Sequence, residues 1–337
     1  MKNTTKRILW LGALWLASSP LYADDRIVVG SPAAACRSLA LAATGGPLPP
    51  DGTLSIRWLG TTNFEIVYRD QVLLLDTYYD RGPRNRPIGF ASRDVKRANA
   101  IFIGHAHYDH MSEAAQVASQ TGAKVIGAST VTETAVAMGL PADQTVTVRG
   151  GETLKYKGYT VEAILAQHSS LASEVLSAFR GAITTAVGAA TAEEAAAEEA
   201  ISKRGTFDPK VITEGTIAYL FTFDNGLKLI FRDSAGPITD AERAVMRRVG
   251  KTDVAIVGYI GQYVAKRQIA STLPIIQLYN PGLYLPGHHD EIAGTFVDIG
   301  VEPLFMALRD QMPGVKWVSP LYREPVCVSL GKPLRKS

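Results

Sequence analysis

Between residues 53 and 290 the apolar positions recur mostly at the two-residue period of strands, in short runs closed by Gly, Pro, Asn or Asp. The runs 54–68 and 71–78 predict β-structure joined in a hairpin at Arg69-Asp70. A buried strand is expected over 99–104, a helix over 112–121 and a strand over 123–127. That order of strand, loop, helix and strand is α/β in character. Strands follow over 145–148, 153–156 and 159–166 with Gly-containing turns. A second hairpin, 216–223 with 227–232, turns at Asp224-Asn225-Gly226, a strong type I′ signal. Helices over 240–249 and 263–273 bracket a buried strand over 253–260, and 283–285 is a short strand ending in Pro286-Gly287-His288.

The pattern changes over 171–204, which is rich in Ala and Glu, with Leu176, Phe179, Ile183 and Val187 at helical spacing. It reads as a helical insertion between two strands: a lid, a membrane contact, or a helix packed on the exterior. Residues 24–52, rich in Ala, Gly and Pro, read as an extended lead-in. The expected organisation is a leader over 1–23, the lead-in, one domain over 53–330 and a tail over 331–337.

The leader changes the meaning of the charge. Lys2, Lys6 and Arg7 precede a short apolar core, and Ala23 offers a small residue for cleavage, which is the layout of a secretory signal peptide. Its apolar run falls well short of the roughly 20 residues that span a bilayer. The formal net charge of +3 lies wholly in those three cations, so the chain after Ala23 is formally neutral. A nucleic-acid partner is therefore not expected, since such binding rests on neutralising phosphates. Export to the periplasm or medium also bears on Cys36 and Cys327, the only cysteines, which an oxidising compartment favours as a disulfide.

The chemistry concentrates where the 99–104 strand ends, in Gly104-His105-Ala106-His107-Tyr108-Asp109-His110. In extended backbone His105 and His107 point the same way, while Asp109 and His110 lie at the turn into the next helix. Imidazole nitrogen and carboxylate oxygen are ligands that zinc accepts at roughly 2.0–2.2 Å. The other three histidines, His168, His288 and His289, also stand at or just beyond strand ends, as does Asp233. No G-x-S-x-G nucleophile elbow occurs.

His-x-His-x-Asp-His followed by a distant His, an Asp and a C-terminal His resembles the metallo-β-lactamase superfamily, over roughly residues 53–291. Trp58-Leu59-Gly60-Thr61, Asp76 and Pro286-Gly287-His288 are similar to its ascorbate-phosphate lactonase-like and N-acyl-phosphatidylethanolamine phospholipase D-like branch. The resemblance implies a four-layer αββα sandwich holding two divalent metal ions, zinc foremost. His105, His107 and His168 would hold one ion, Asp109, His110 and His288 the other, and Asp233 would bridge them. Asp76 would orient a ligand histidine from behind, and His289 would contact substrate or support a ligand. Two features depart from the pattern: the insertion between His168 and Asp233, and Arg232 where many relatives carry Gly.

Two such ions hold and acidify a water, whose hydroxide attacks a carbonyl carbon or phosphorus while Asp109 accepts a proton. The expectation is an exported hydrolase of lactone, ester, amide or phosphodiester substrates. A bridging Asp233 favours that range over a true β-lactamase. Arg81, Arg84 and Arg86, with Tyr78 and Tyr79, either line the mouth, where guanidinium forks suit phosphate or carboxylate, or form an ordinary solvated loop. A phospholipid or N-acyl-lipid hydrolase at a membrane surface and a non-catalytic metal-binding protein on the same fold are the alternatives.

Overall fold

The computed structural model describes residues 26–169, 188–259, 265–290 and 300–331. The leader and the part of the insertion bearing Leu176, Phe179, Ile183 and Val187 lie outside the described residues.

Two sheets face each other. The first contains β1 (Ile27–Val29), β2 (Thr53–Trp58), β3 (Phe64–Tyr68), β4 (Gln71–Leu75), β5 (Ala100–Phe102), β6 (Lys124–Gly127), β7 (Thr145–Thr147) and β15 (Pro325–Leu330), in the order β1-β15-β2-β3-β4-β5-β6-β7. The second contains β8 (Thr153–Tyr156), β9 (Tyr159–Ala166), β10 (Thr216–Phe223), β11 (Lys228–Arg232), β12 (Val254–Gly258), β13 (Leu283–Gly287) and β14 (Lys316–Trp317), in the order β14-β13-β12-β11-β10-β9-β8. Each sheet is part antiparallel and part parallel: β4 to β7 run parallel in the first, and β11 to β14 in the second. The parallel strands read as nearly unbroken apolar runs because both of their faces are covered.

Three apolar layers follow. Phe64, Phe102, Tyr219, Phe221, Phe231 and Ile256 fill the space between the sheets. Helices α1 (Tyr108–Met111), α2 (Ala114–Thr121) and α3 (Ser129–Ala137) cover the first sheet, burying Val117 and Val131 against Ile101 and Val125. Beyond α4 (Ala192–Ser202) and α5 (Lys210–Thr213), helices α6 (Asp240–Val249), α7 (Ala265–Tyr279) and α8 (Glu302–Gln311) cover the second sheet, with Ile276 and Leu304 against Ile230 and Val257. The fold is the expected αββα sandwich.

Several local readings change. The run 54–68 is two strands, because Gly60 (φ +87°) and Thr61 (φ +48°) turn the chain sharply and the amide of Leu59 donates to Asn63 O at 2.7 Å. Apolar residues on both sides of this tight turn conceal it from a periodicity reading. The helices Ser129–Ala137 and Glu302–Gln311 were not expected; the first is rich in Thr and Val, which favour strands. The helix expected over 263–273 continues through Pro274 to Tyr279. The lead-in contributes edge strand β1, and Leu41, Ala42 and Ala43 are buried against the first sheet.

Cys36 and Cys327 are disulfide-bonded, tying the lead-in to β15 across 291 positions of sequence. Such a bridge acts mainly by restricting the unfolded chain. Cys36→Ser/Cys327→Ser is therefore expected to lower unfolding stability by about 2–4 kcal/mol, read as a lower urea midpoint. An unchanged midpoint under oxidising conditions would show that the bridge contributes nothing.

Candidate metal centre

Strand direction decides where the chemistry gathers. β9 and β11 are both antiparallel to β10, hence parallel to each other, and β12 and β13 continue that direction. The C-terminal ends of β9, β11 and β13 therefore share one edge, and they carry His168, Asp233 and His288. In the facing sheet the parallel β4 and β5 end at Asp76 and at the His105–His110 turn.

At that edge the ligand-capable atoms of His105, His107 and His168 lie within 4.8 Å of one another, as do those of Asp109, His110 and His288. A third such group, His105, His110 and Asp233, joins the two. Asp233 Oδ2 is 2.5 Å from His105 Nδ1 and 3.4 Å from His110 Nδ1. His105 Nε2 and His107 Nδ1 are 3.0 Å apart, and His110 Nε2 and His288 Nε2 are 3.1 Å apart. Asp109 Oδ2 lies 3.4 Å from His110 Nε2 and 3.5 Å from His288 Nε2.

Gly104 makes room for this convergence. A Cβ there would sit 2.0 Å from Asp233 Oδ2, so any side chain would expel the carboxylate. The Gly104 amide donates to Asp76 Oδ1 at 2.9 Å, and Asp76 Oδ2 is 2.8 Å from His110 Nδ1. With Nδ1 directed at Asp76, Nε2 of His110 is turned toward His288, the orientation a metal-binding histidine requires. Thr62 Oγ1 donates to the same Asp76 oxygen at 2.7 Å.

Arg232 is fully buried and acts as a brace. It pairs with Glu242 at 3.3 Å, and its Nη2 donates to the carbonyls of Gln167, Gly236 and Pro237 at 2.9–3.2 Å. The strand ends bearing His168 and Asp233 are thereby tied together.

Electrostatics fit a cation. Burial, with the neighbouring histidines, holds His105 well below its ordinary value, and burial likewise lowers His107 and takes His168 to about 4. Those rings are neutral donors. Burial also pulls His110 down, but Asp109 and Asp76 outweigh it and lift His110 well above its ordinary value. Burial raises Asp109, yet His110 and His288 hold it well below. Asp109 and His110 thus favour each other's charged forms. Asp233 Oδ1 is buried without a hydrogen-bond partner among the described residues. Two ligands on a tetrahedral zinc sit about 3.3 Å apart at bond lengths near 2.0–2.1 Å, close to the nitrogen spacings here. The donor set fits divalent metal.

The remaining candidates stand beside the cluster. His289 stacks on Trp58, with ring centroids 4.2 Å apart, and borders a cavity of about 840 Å³ with Phe305 and Trp317. The Tyr78 ring meets Tyr108 edge-on at 5.8 Å, and Arg84 Nη2 donates to Gly188 O at 3.0 Å where the insertion enters the described residues. Arg81 does not line a mouth: it is buried in an ion pair with Asp290 at 2.6 Å.

The sequence reading passed over Thr62, Asp290, Glu113 and Phe207. The downstream end of the insertion lies on the His105–His110 turn: Thr206 N donates to Ala106 O at 2.8 Å, and the Phe207 ring is 5.0 Å from that of His107. Arg204 pairs with Glu113 at 3.2 Å. Only Glu113, a charge inside a helix-forming run, left any trace in the sequence.

The family described as the beta-lactamase superfamily domain matches residues 71–288. The chain belongs to this superfamily. Among curated members, a UPF0173 metal-dependent hydrolase of Myxococcus xanthus is 32% identical over 131 residues, covering 39% of this chain and 45% of that protein. One from Thermoplasma acidophilum is 27% identical over 117 residues, covering 35% and 49%. The chain thus spans about half the length of the curated relatives it matches. A metallo hydrolase of the archaeon Ignicoccus hospitalis superposes with a TM-score of 0.55 at 17% identity, covering 82% of this chain and 98% of that one. An isothiocyanate hydrolase from Delia radicum gut bacteria gives 0.52 at 12%, covering 80% and 97%. These superpositions show that the superfamily fold is shared.

Glu113 supplies a pH test independent of metal. Burial raises its carboxyl to about 7 from a reference of 4.5, against the amide of Tyr79, which donates to it at 2.7 Å. A raised folded-state value gives stability that is complete below pH 4.5 and lost as pH rises through 7. Glu113→Gln keeps the acceptor and removes the titration. Its loss of unfolding free energy between pH 5 and pH 8 should be about 2 kcal/mol smaller than that of the parent chain. Parallel pH profiles would refute the assignment.

Proposed function

We propose that the protein is an exported, binuclear metal-dependent hydrolase acting on a lactone, ester, amide or phosphodiester. The observation that carries this reading is Asp233, whose one carboxylate touches a histidine of each ligand trio across the gap between two sheets. Its support is the superfamily match and the family's metal-dependent relatives.

His105, His107 and His168 would hold one cation and Asp109, His110 and His288 the other, with Asp233 between. Bound there, divalent cations supply an acidified water near neutral pH and offset the charge that develops on the substrate oxygen. His and Asp ligation suits zinc, and iron or manganese would be accepted by similar donors. Asp76 and Thr62 keep the His110 ring in one tautomer and one orientation. Asp109, ionised and close to His110 and His288, orients the attacking water and receives its proton. It then returns that proton to the leaving oxygen or nitrogen, so no Ser or Cys nucleophile is needed. Phe207, 64% exposed beside His107 and 6.1 Å from the Tyr108 ring, offers an apolar wall to the substrate.

Purified protein is expected to carry two divalent ions per chain by elemental analysis, and to turn over lactones or bis-nitrophenyl phosphate but not a chromogenic cephalosporin. His105→Ala and Asp109→Asn should each lower turnover at least about 100-fold. Full activity in both variants, or turnover of the cephalosporin alone, would overturn the proposal. The apolar wall has its own test. Phe207→Ala should raise KM about tenfold for a long-chain ester and leave that for a short-chain ester unchanged; equal effects on both would remove Phe207 from the substrate site.

A further inference from the structure

The two ligand trios are supported differently. His288 sits in the left-handed region at φ +65°, a conformation that a non-glycine residue keeps only when its surroundings enforce it. Its amide donates to Thr61 O at 2.7 Å, and the Thr61 amide donates to Asp290 Oδ1 at 2.7 Å. Those two bonds close a ring around the backbone of residues 288–290. The Thr61 carbonyl also accepts from Trp58 Nε1 at 2.7 Å, which fixes the turn from its other side.

Asp290 is itself held from behind. Its Oδ2 accepts from Arg81 Nη1 at 2.6 Å and from Tyr322 Oη at 2.5 Å, and its carbonyl accepts from Arg81 Nη2 at 3.2 Å. Gly60 leaves the necessary space: a Cβ there would lie 2.8 Å from Arg81 Nη1 and 3.1 Å from Asp290 Oδ2. The next residue of the same turn, Thr62, holds Asp76 and lies 3.0 Å from His110 Nδ1. One turn therefore governs His110 and His288, whereas among the described residues it makes no direct hydrogen bond to His105, His107 or His168.

We infer that Thr61 and Asp290, backed by Arg81 and Tyr322, are positioning residues for His288 and set the cation affinity of the Asp109–His110–His288 group selectively. This rests on the binuclear reading above. Partners behind a ligand typically contribute 10–100-fold in metal affinity, and here they act through the backbone that aims the ring.

The test is a cobalt titration of chelator-treated protein, followed by Co²⁺ absorption and by metal content after gel filtration. The parent chain should bind two equivalents. Asp290→Asn should retain one with unchanged affinity and bind the second about 10–100-fold more weakly. Tyr322→Phe, which deletes one hydroxyl, should shift the same equivalent in the same direction by a smaller factor. Glu65→Gln is the control. It disturbs another fully buried pair, with Arg57 at 3.1 Å, and should lower Tm while leaving both affinities alone. Two tight equivalents in Asp290→Asn and Tyr322→Phe would overturn the inference, as would equal weakening of both equivalents or the same selective loss in Glu65→Gln. Should Asp290→Asn not fold, Tyr322→Phe decides by itself. A parent chain that binds fewer than two equivalents would instead refute the binuclear reading, and this inference would fall with it.

Discussion

The centre depends on one steric fact: Asp233 occupies the volume that a side chain at residue 104 would need. A Cβ on Gly104 would come within 2.0 Å of that carboxylate, so the sheets can bring Asp233 to His105 only because residue 104 has none. Strand direction follows the same logic. The C-terminal ends of β9, β11 and β13 meet those of β4 and β5, so residues far apart in sequence converge on one buried spot. Ionisable groups concentrated there would be costly to bury unless they compensate one another. Burial first of all lowers His105, His107 and His168, while Asp109 and Asp76 lift His110 against its own burial.

Much of this cluster was legible in the sequence because its side chains are chemically rare and stand at strand ends. Six histidines in 337 residues, all but one of them in the trios, leave few alternative assignments. Asp76 is expected behind a histidine, and its Oδ2 lies 2.8 Å from His110 Nδ1. The supports were illegible for a physical reason. Thr61 acts through its carbonyl and amide, which every residue possesses, and Asp290 meets Arg81 across 209 positions. No local pattern encodes either. The fold failed to announce itself in the same way at the 59–63 turn, where apolar residues continue on both sides of a reversal made by Gly60 and Thr61.

Arg232 links the strand end beside Asp233 to the helices outside the second sheet. The chain buries the Arg232 guanidinium in an ion pair with Glu242, and its Nη2 alone donates to three carbonyls. Glu242 in turn caps α6, accepting from the Thr239 amide at 2.8 Å, and receives the Tyr279 hydroxyl at 2.5 Å from α7. The outer helices of the second sheet are thus coupled to the strand end that presents Asp233. A buried pair of this kind is weak support for net stability but strong support for a single geometry, since either partner alone would be a stranded charge. The arginine ties the end of β11, next to Asp233, to Glu242 and to the carbonyls of Gly236 and Pro237.

The insertion enters the same argument from the other side. Its described end is bonded to the His105–His110 turn and the helix after it rather than resting on a remote face: Thr206 on Ala106, Arg204 on Glu113, and Gly205 so close to Tyr108 that a Cβ would lie 2.3 Å from its amide. Segments anchored this tightly to a ligand-bearing loop shape what can reach it. The Phe207 ring lies against that of His107. The two halves of the centre then have separate tasks in the proposed reaction. The turn at 60–63 fixes the geometry of the second trio, while the insertion sets the chemical character of the approach to the first. Selection among hydrolysable substrates would therefore lie with residues 204–207, on a ligand framework that those residues do not build.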